Sequence, residues 1–426
     1  MGAWGLVMRT SEGCNVLVVG GGVIGVCVAY YCATAGANVV VVEQDAICSG
    51  CSYGNAGLIV PSYSTPLSAP GVFGKALLWL FDPESPFYIK PRFDADLLRW
   101  LALFAARCNQ SAMRNAIPRL RDLARASIAL YRELLSASEF DCGYDQRGLL
   151  ILCSTARGLQ EGRAQSSLLR EFGIASEEMN ADATREIVPA SKQDVAGGFY
   201  YPEDSHLVPS DFVRGLAKRA ESLGVKFCSS TRVDSFELSE GAISAVLTSS
   251  GTFQASEIVI ASGAWSAALL RGLKVRLPVE PAKGYSVTVA EPSHMKLQVP
   301  LLLHETKVAV TPMAGLIRFA GTLELAGFDT SINQRRLESL LRNSQRYLSG
   351  IENVGHVESW SGLRPCTPDG LPVLGRLGQL KNVVVATGHG MLGMTLGPIT
   401  GKLVSEIISH GTATLDLAPF APERFA

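Results

Sequence analysis

Between Gly13 and Val42 the chain runs for thirty residues without a charge. That length would suffice for a membrane span, but the interior of the run argues against one. Three consecutive glycines, Gly20 to Gly22, follow the apolar stretch Val16–Val19, and the run closes on Val39–Val42 and then Glu43. Glycines break a helix and β-branched residues favour strands, so the pattern predicts strand, glycine turn, helix, strand. Gly20, Gly22 and Gly25 stand in G-x-G-x-x-G spacing at the strand-to-helix junction. Gly20 makes the tight turn, Gly22 lets backbone approach a pyrophosphate, and Gly25 permits close packing of helix on strand. The helix, opening at Val23 and Ile24, offers free N–H groups and a positive dipole end to phosphates. Glu43, with Gln44 beside it, ends the second strand where an acid accepts from ribose hydroxyls. The unit therefore reads as a dinucleotide cradle. It does not separate FAD from NAD, while the acid favours either over NADP.

The bulk properties narrow the partners. Lys and Arg total 38 against 39 Asp and Glu, so no net field draws the chain to nucleic acid, and a small molecule is the expected partner. Only 18% of the 426 residues are charged, which fits large buried sheets or an apolar surface touching another body. The ten cysteines are scattered, with Cys48 and Cys51 the one tight pair. No second pair or histidine cluster accompanies them, so reduced thiols in a cytoplasmic setting and no metal site are expected. Residues 1–12 read as a flexible leader without a secretory cleavage pattern.

After Glu43 the Gly-, Ser- and Pro-rich stretch from Cys48 to Gly71 suits a long loop lying along a large cofactor. Residues 71–136 read as helices, carried by "KALLWLF", "DLLRWLALFAARC" and "RLRDLARASIALYRELL". Their apolar faces suit a buried layer, with a peripheral membrane contact over 71–103 as the rival account. Further on, Ser210 reads as the N-cap of a helix over 211–223 that Gly224 ends, before "VKFCSSTRVDSFEL" resumes as strand. "EIVIASGAWSAALL" repeats strand, small residues and helix start, and "VVVATGHGMLGMTLGPITGKL" ends on a glycine turn and a closing helix. Dinucleotide-binding features thus return far along the chain. They imply a discontinuous cofactor domain over 13–60, 205–275 and 356–426, with a second domain over 61–204 and 276–355.

The segment "WSGLRPCTPDGLPVLG" poses a chemical question, because Arg364 stands among Trp360, Leu363, Leu371, Val373 and Leu374. An unpaired buried cation is costly, so an anion should face it. The candidates are a neighbouring carboxylate such as Asp369, which makes the arrangement structural, or the carboxylate of a bound substrate.

The segments "VVGGGVIG" with Glu43, "SYGNAGLIVPSYSTPLSAPG", "RGLLIL", "VPSDFVRGLA", "IVIASGAWS", "KGYSVT", "RFAGTLEL", "GLRPCTPDGLPVLG" and "TGHGMLGMTLGPITGKL" span nearly the whole chain. In this combination the sequence resembles the D-amino acid oxidase superfamily of FAD-dependent oxidoreductases, most closely its D-amino acid dehydrogenase branch. The resemblance implies an α/β fold, a Rossmann-like FAD-binding domain of glutathione reductase type, and an inserted α+β substrate domain on an antiparallel sheet. It implies extended FAD, bound non-covalently because Cys366 lies inside the "LRPCTPDG" motif, a poor match to the late cysteine of covalent relatives.

The cofactor contacts it implies are Gly20, Gly22, Val23, Ile24, Gly25, Glu43, Gln44, Ser52, Gly54, Asn55, Ala56, Gly57, Leu58, Val233, Ala261, Gly263, Trp265, Gly362, Gly388, His389, Gly390, Leu392, Gly393, Met394 and Thr395. Arg364 matches the arginine that pairs with the substrate carboxylate in that family. Tyr285, Arg318 and Tyr53 fall where the family places groups around substrate or flavin, and each equally suits an ordinary structural residue. His389, in its glycine turn, is expected to contact flavin through backbone rather than act as a base. The implied activity is dehydrogenation of a D-amino acid or cyclic imino acid such as a proline derivative, by hydride transfer from Cα to flavin N5. Electrons then pass to a quinone, O2 or another acceptor. A secondary amine oxidase of sarcosine or glycine oxidase type, and a non-catalytic FAD-binding subunit, remain as alternatives.

Overall fold

A computed structural model of the chain describes residues 15–72, 74, 85–136, 140–293, 295–352 and 354–425. The helix expected over "KALLWLF" falls outside the described residues. The chain separates into two compact units. One comprises the described residues of Met1–Tyr53, Ser210–Glu280 and Arg364–Ala426, the other those of Gly54–Pro209 and Pro281–Leu363.

The first unit is built on a six-stranded sheet in the order Val373–Arg376, Val383–Thr387, Glu257–Ile260, Val16–Val19, Val39–Val42, Lys226–Cys228. All neighbours are parallel except the edge strand Val373–Arg376, which runs antiparallel to Val383–Thr387. The four inner strands are rich in valine and isoleucine and almost wholly buried, as expected where both faces of a parallel sheet are covered. Period-two alternation divides their side chains. Leu17, Val40, Ile258 and Val383 join Val233, Ile243, Val246 and Phe253 of a three-stranded antiparallel layer in one apolar cluster. Val18 points the other way, toward the helix Val23–Thr34. The uncharged run of the sequence is thus strand, twelve-residue helix and strand, and among the described residues no helix is long and apolar enough to cross a membrane.

The expected N-cap at Ser210 is a correction. The helix runs Pro209–Ser222, and the Ser210 hydroxyl donates to the Asp211 carboxylate. Proline at the first helical turn is preset for helical φ and needs no N–H there, so the helix begins earlier than the serine suggests.

The second unit carries a nine-stranded sheet whose longest members are Glu280–Ala290, Leu316–Leu325 and His356–Cys366. The expectation of an antiparallel sheet holds for most neighbours, with two parallel pairings, Leu301–Leu303 beside Leu149–Cys153 and Phe87–Ile89 beside Leu323–Leu325. Helices Ala95–Arg107 and Gln110–Ser136 show the amphipathic spacing read from sequence, with Trp100, Phe104, Leu120 and Tyr131 buried. Phe93 and Leu98, in the stretch weighed for membrane contact, are exposed.

Two polar clusters are buried within this second unit. Register sets Lys283 opposite Glu324. The Lys283 ammonium lies 3.2 Å from the Asp329 carboxylate and donates to the Ser331 carbonyl at 3.1 Å, while Glu324 accepts from the Tyr285 hydroxyl at 2.7 Å and lies 3.7 Å from Arg336. Buried charges of this kind persist only when paired. The other cluster is Asp204, which accepts from the Ser62 backbone N–H at 3.1 Å and from the Ser62 hydroxyl. It pins the turn Pro61–Tyr63 that follows the Gly54–Leu58 segment.

Burial pushes the Asp204 carboxyl up to about 7, the Ser62 bonds opposing the rise and nearby Glu203 adding to it. An acid that holds its proton more tightly when folded costs most stability when ionised, so the cost is complete above pH 7 and is relieved as pH falls toward the ordinary value of 3.8. Thermal midpoints of wild type and Asp204→Asn, compared from pH 8 to pH 5, should therefore move in wild type's favour as pH falls. A difference that stays flat across that window would contradict a carboxyl raised to about 7 by burial.

Candidate functional site

In the first unit the glycine turn is made by contacts that exclude side chains. Gly20 has φ +114°, and a Cβ there would stand 2.6 Å from the Ala261 carbonyl oxygen. A Cβ on Gly25 would collide with the Gly20 carbonyl oxygen. Gly22 occupies the N-cap position of Val23–Thr34 without any side-chain cap. Ser52 reaches in from the following loop, its hydroxyl accepting from the Val23 N–H at 2.9 Å. Glu43 accepts from the Gly21 N–H at 2.7 Å and the Asp45 N–H at 3.0 Å, so the acid holds the turn as well as ending its strand. Gln44 beside it is exposed. Thr231 donates its N–H to the Glu43 carbonyl at 2.7 Å, and the buried Val233 follows from there.

A second helix start lies alongside. Gly388 and Gly390 both take positive φ, and the helix Gly393–His410 begins after Leu392, again with no side-chain cap and no acid in its first turn. Its Met394 and Thr395 are buried. Glycine at every fourth position, Gly393, Gly397 and Gly401, turns one bare stripe of this helix toward Val23–Thr34. A Cβ on Gly397 would stand 2.9 Å from the Val23 side chain, and one on Gly401 only 2.5 Å from the Cys27 backbone. Residue 397 meets Val23 and residue 401 meets Cys27, so the helices run parallel with their N-termini at the same end. Two N-termini whose own N-cap residues supply no side-chain acceptor, and whose first turns carry no acid, make a donor set suited to an anionic group. The glycine cradle and this donor set fit the pyrophosphate of a dinucleotide.

Gly263, at φ +55°, opens the short turn Gly263–Trp265 after the strand Glu257–Ile260, and its carbonyl accepts from the Thr387 hydroxyl at 2.9 Å. His389 is buried, with Nε2 3.0 Å from the Thr400 hydroxyl and Nδ1 lacking a protein partner. Burial drives its pKa down to about 3. The imidazole is therefore neutral at physiological pH and presents no charge. Tyr53 turns its ring under the Arg214 guanidinium, 5.7 Å from centroid to carbon.

Arg364 follows on the strand His356–Cys366 and is half-buried. Its charge acts on two nearby thiols. Burial raises both, Cys366 to about 12, and Arg364 partly offsets each rise. The Asp369 carboxylate, the candidate structural partner for Arg364, is taken by another residue. Arg424 holds it through Nε at 2.8 Å and Nη2 at 3.1 Å.

The remaining sequence-derived candidates lie in the second unit. Gly54 and Gly362 both face the Trp360 indole, and a Cβ on either would collide with the ring. Asn55 folds its segment into a turn by accepting from the Gly57 N–H at 2.8 Å, with Ala56 between them. The Gly57 carbonyl accepts from the Leu207 N–H, and Leu58 pairs with His206. Arg318 is buried, donating to the Asn55 carbonyl at 3.0 Å and the Thr288 hydroxyl at 3.1 Å. Tyr285 points its hydroxyl into the Lys283–Glu324 cluster, and burial, the largest cause, keeps its phenol protonated. Arg318 thus positions Asn55, and Tyr285 serves the sheet interior.

Sequence reasoning missed Trp360 as the wall behind Gly54 and Gly362, the glycine stripe of Gly393–His410, and Arg424. The stripe had a signal, its four-residue spacing. Trp360 against Gly54 and Arg424 against Asp369 join residues far apart in the chain and had none.

Gly401→Ala should force the two helices apart and cost about 1–3 kcal/mol or more, as overpacking does. Differential scanning calorimetry should show the loss, whereas Gly272→Ala, with open space around its Cβ, should leave the thermal midpoint within a degree or two. Equal midpoints for the two variants would contradict the tight helix contact.

Comparison with known proteins agrees with this geometry. A family model described as DAO, FAD dependent oxidoreductase, matches residues 15–407. A D-amino acid dehydrogenase of Cereibacter sphaeroides is 34% identical over 416 residues, 96% of this chain and 95% of the relative. Among solved structures, glycine oxidase from Geobacillus kaustophilus aligns at a TM-score of 0.78 with 27% identity, covering 96% of this chain and 98% of its own. L-proline dehydrogenase from P. horikoshii aligns at 0.78 with 20% identity over 97% and 98%, a likeness of fold alone. With the strands and the glycine turn of the first unit and most of its closing helix inside the matched span, the chain belongs to the DAO family of FAD-dependent oxidoreductases.

Proposed function

We propose that this chain oxidises a D-amino acid or a cyclic imino acid at the carbon bearing the nitrogen, and passes the electrons to a quinone or another acceptor. The observation that carries the reading is Arg364, placed on its strand while Asp369 is held by Arg424. A planar guanidinium suits bidentate capture of a carboxylate and so fixes the orientation of the adjacent Cα–H. Relatives named D-amino acid dehydrogenase at 34% identity support that substrate class.

The first unit holds the cofactor. FAD, when bound, accepts the hydride that leaves the substrate carbon. The two helix N-termini take the phosphates and Glu43 the ribose. His389, held neutral by burial, leaves no strong side-chain base in its turn, so the amine enters already deprotonated. An acyclic product hydrolyses to a 2-oxo acid, whereas a cyclic one remains an imine. No bond from Cys366 to the cofactor is part of this reading, since its thiol is buried and raised to about 12.

Glycine oxidase from Geobacillus kaustophilus, at a TM-score of 0.78 and 27% identity, supports a second reading, a secondary or primary amine oxidase acting on sarcosine or glycine. Anaerobic photometry separates the readings. The purified protein should be yellow, acid precipitation should release the colour to the supernatant, and the band near 450 nm should bleach with D-amino acids or proline derivatives. Bleaching with sarcosine or glycine alone would select the oxidase reading, and no bleaching with any of them would indicate a non-catalytic subunit. Arg364→Leu should keep the yellow colour and lose transition-state binding by about 2–5 kcal/mol in kcat/KM. A colourless or unfolded Arg364→Leu protein would make the arginine structural instead.

A further inference from the structure

The residue that holds the turn after Arg364 comes from the far end of the chain. Arg424 lies in the short turn Pro422–Phe425, and its side chain is 12% exposed. Every N–H of its guanidinium finds an acceptor. Nε and one Nη2 hydrogen go to the two Asp369 oxygens at 2.8 and 3.1 Å, and the other Nη2 hydrogen goes to the Leu371 carbonyl at 2.8 Å. Nη1 donates to the Phe420 and Ala421 carbonyls at 2.8 and 3.2 Å, tying the group to its own segment. Nearby, Glu423 accepts from the Gly378 N–H at 2.8 Å, a second attachment of the tail.

The clamped turn is joined to the site by further bonds. Asp369 also accepts from the Leu371 N–H at 3.1 Å, and the Thr367 hydroxyl donates to the Leu371 carbonyl at 2.8 Å. Thr367 packs against Gly388, where a Cβ would stand 2.6 Å from its methyl. Cys366 bridges to His389, and the Gly390 N–H donates to the Pro365 carbonyl at 2.9 Å. Pro365 and Cys366, which follow Arg364 on its strand, the turn from Thr367 to Leu371, and the glycine turn opening Gly393–His410 therefore form one hydrogen-bonded block. Arg424 closes its outer side.

We propose that Arg424 is a positioning residue for the amino acid site: through Asp369 it sets the placement of Arg364 and of the Gly388–Gly390 turn. The inference rests on the reading of Arg364 as the carboxylate partner. A lysine at 424 keeps the charge but cannot span the two Asp369 oxygens and the Leu371 carbonyl with fixed planar donors.

Arg424→Lys, Arg424→Met and Asp369→Asn should each raise KM for the amino acid by about tenfold or more while changing kcat by less than about threefold, with the 450 nm absorbance per protein unchanged. The rise should vanish when Arg424→Met is added to Arg364→Leu, because the two act through one contact. An unchanged KM in the three single variants, beside a raised KM in Arg364→Leu, would overturn the inference and leave the carboxylate reading standing. An unchanged KM in Arg364→Leu would overturn the reading itself. Loss of flavin or fold in all three single variants, Asp369→Asn included, would make the clamp purely structural and would equally overturn the proposal.

Discussion

The backbone contact between the helices Val23–Thr34 and Gly393–His410 is the constraint on which the first unit depends. Glycines at 397 and 401 remove the side chains that would separate the two, and Gly25 does the same between the first helix and the Gly20 turn. The consequence is electrostatic as well as steric. Parallel helices this close bring two positive dipole ends to one place, and neither first turn carries an acid that would offset them. The composition of Val23–Thr34 follows from the same fact. Its residues are apolar almost all the way round because one side meets the sheet and another meets the second helix.

Buried cations are paired in both units. In the second, Lys283, Arg318 and Arg336 sit within sheet and loop contacts, each beside a carboxylate or carbonyl that makes its burial tolerable. Arg424 in the first unit is of the same kind, all of its donors committed to Asp369 and to carbonyls. These groups shape the backbone and meet no substrate in the proposed chemistry. Arg364 differs in where it stands, on the strand that leads through Pro365 and Cys366 into the turn that Arg424 closes, with Cys366 bridged to the turn that opens a helix N-terminus. His389 completes the contrast, since burial without a charged partner leaves it neutral rather than paired.

Local periodicity sufficed for much of this. The strand, glycine turn, helix and strand from Val16 to Val42 stand where valine runs and glycine spacing put them, because those preferences act over a few residues and the strands are buried on both faces. The return of strands of the same sheet at Glu257–Ile260 and Val383–Thr387 was equally readable, each an apolar run followed by small residues. The start of Pro209–Ser222 was misplaced, as a serine that resembles a cap lies inside a helix begun by proline.

The sequence by itself determined the glycine cradle, the discontinuous sheet of the first unit, the family and most element types, though not the strand Phe87–Ile89 within a stretch read as helical, since each rests on short-range pattern or on motifs kept in order along the chain. Tertiary structure alone decided the partners of the charges. Whether Asp369 faced Arg364 or another cation depended on where the last turn of the chain folded back, and Arg424 lies 55 residues from its carboxylate. The same holds for Tyr285 and Glu324, joined across neighbouring strands, and for Trp360 between Gly54 and Gly362. Such contacts are chosen by register and packing between distant segments, which no local preference encodes.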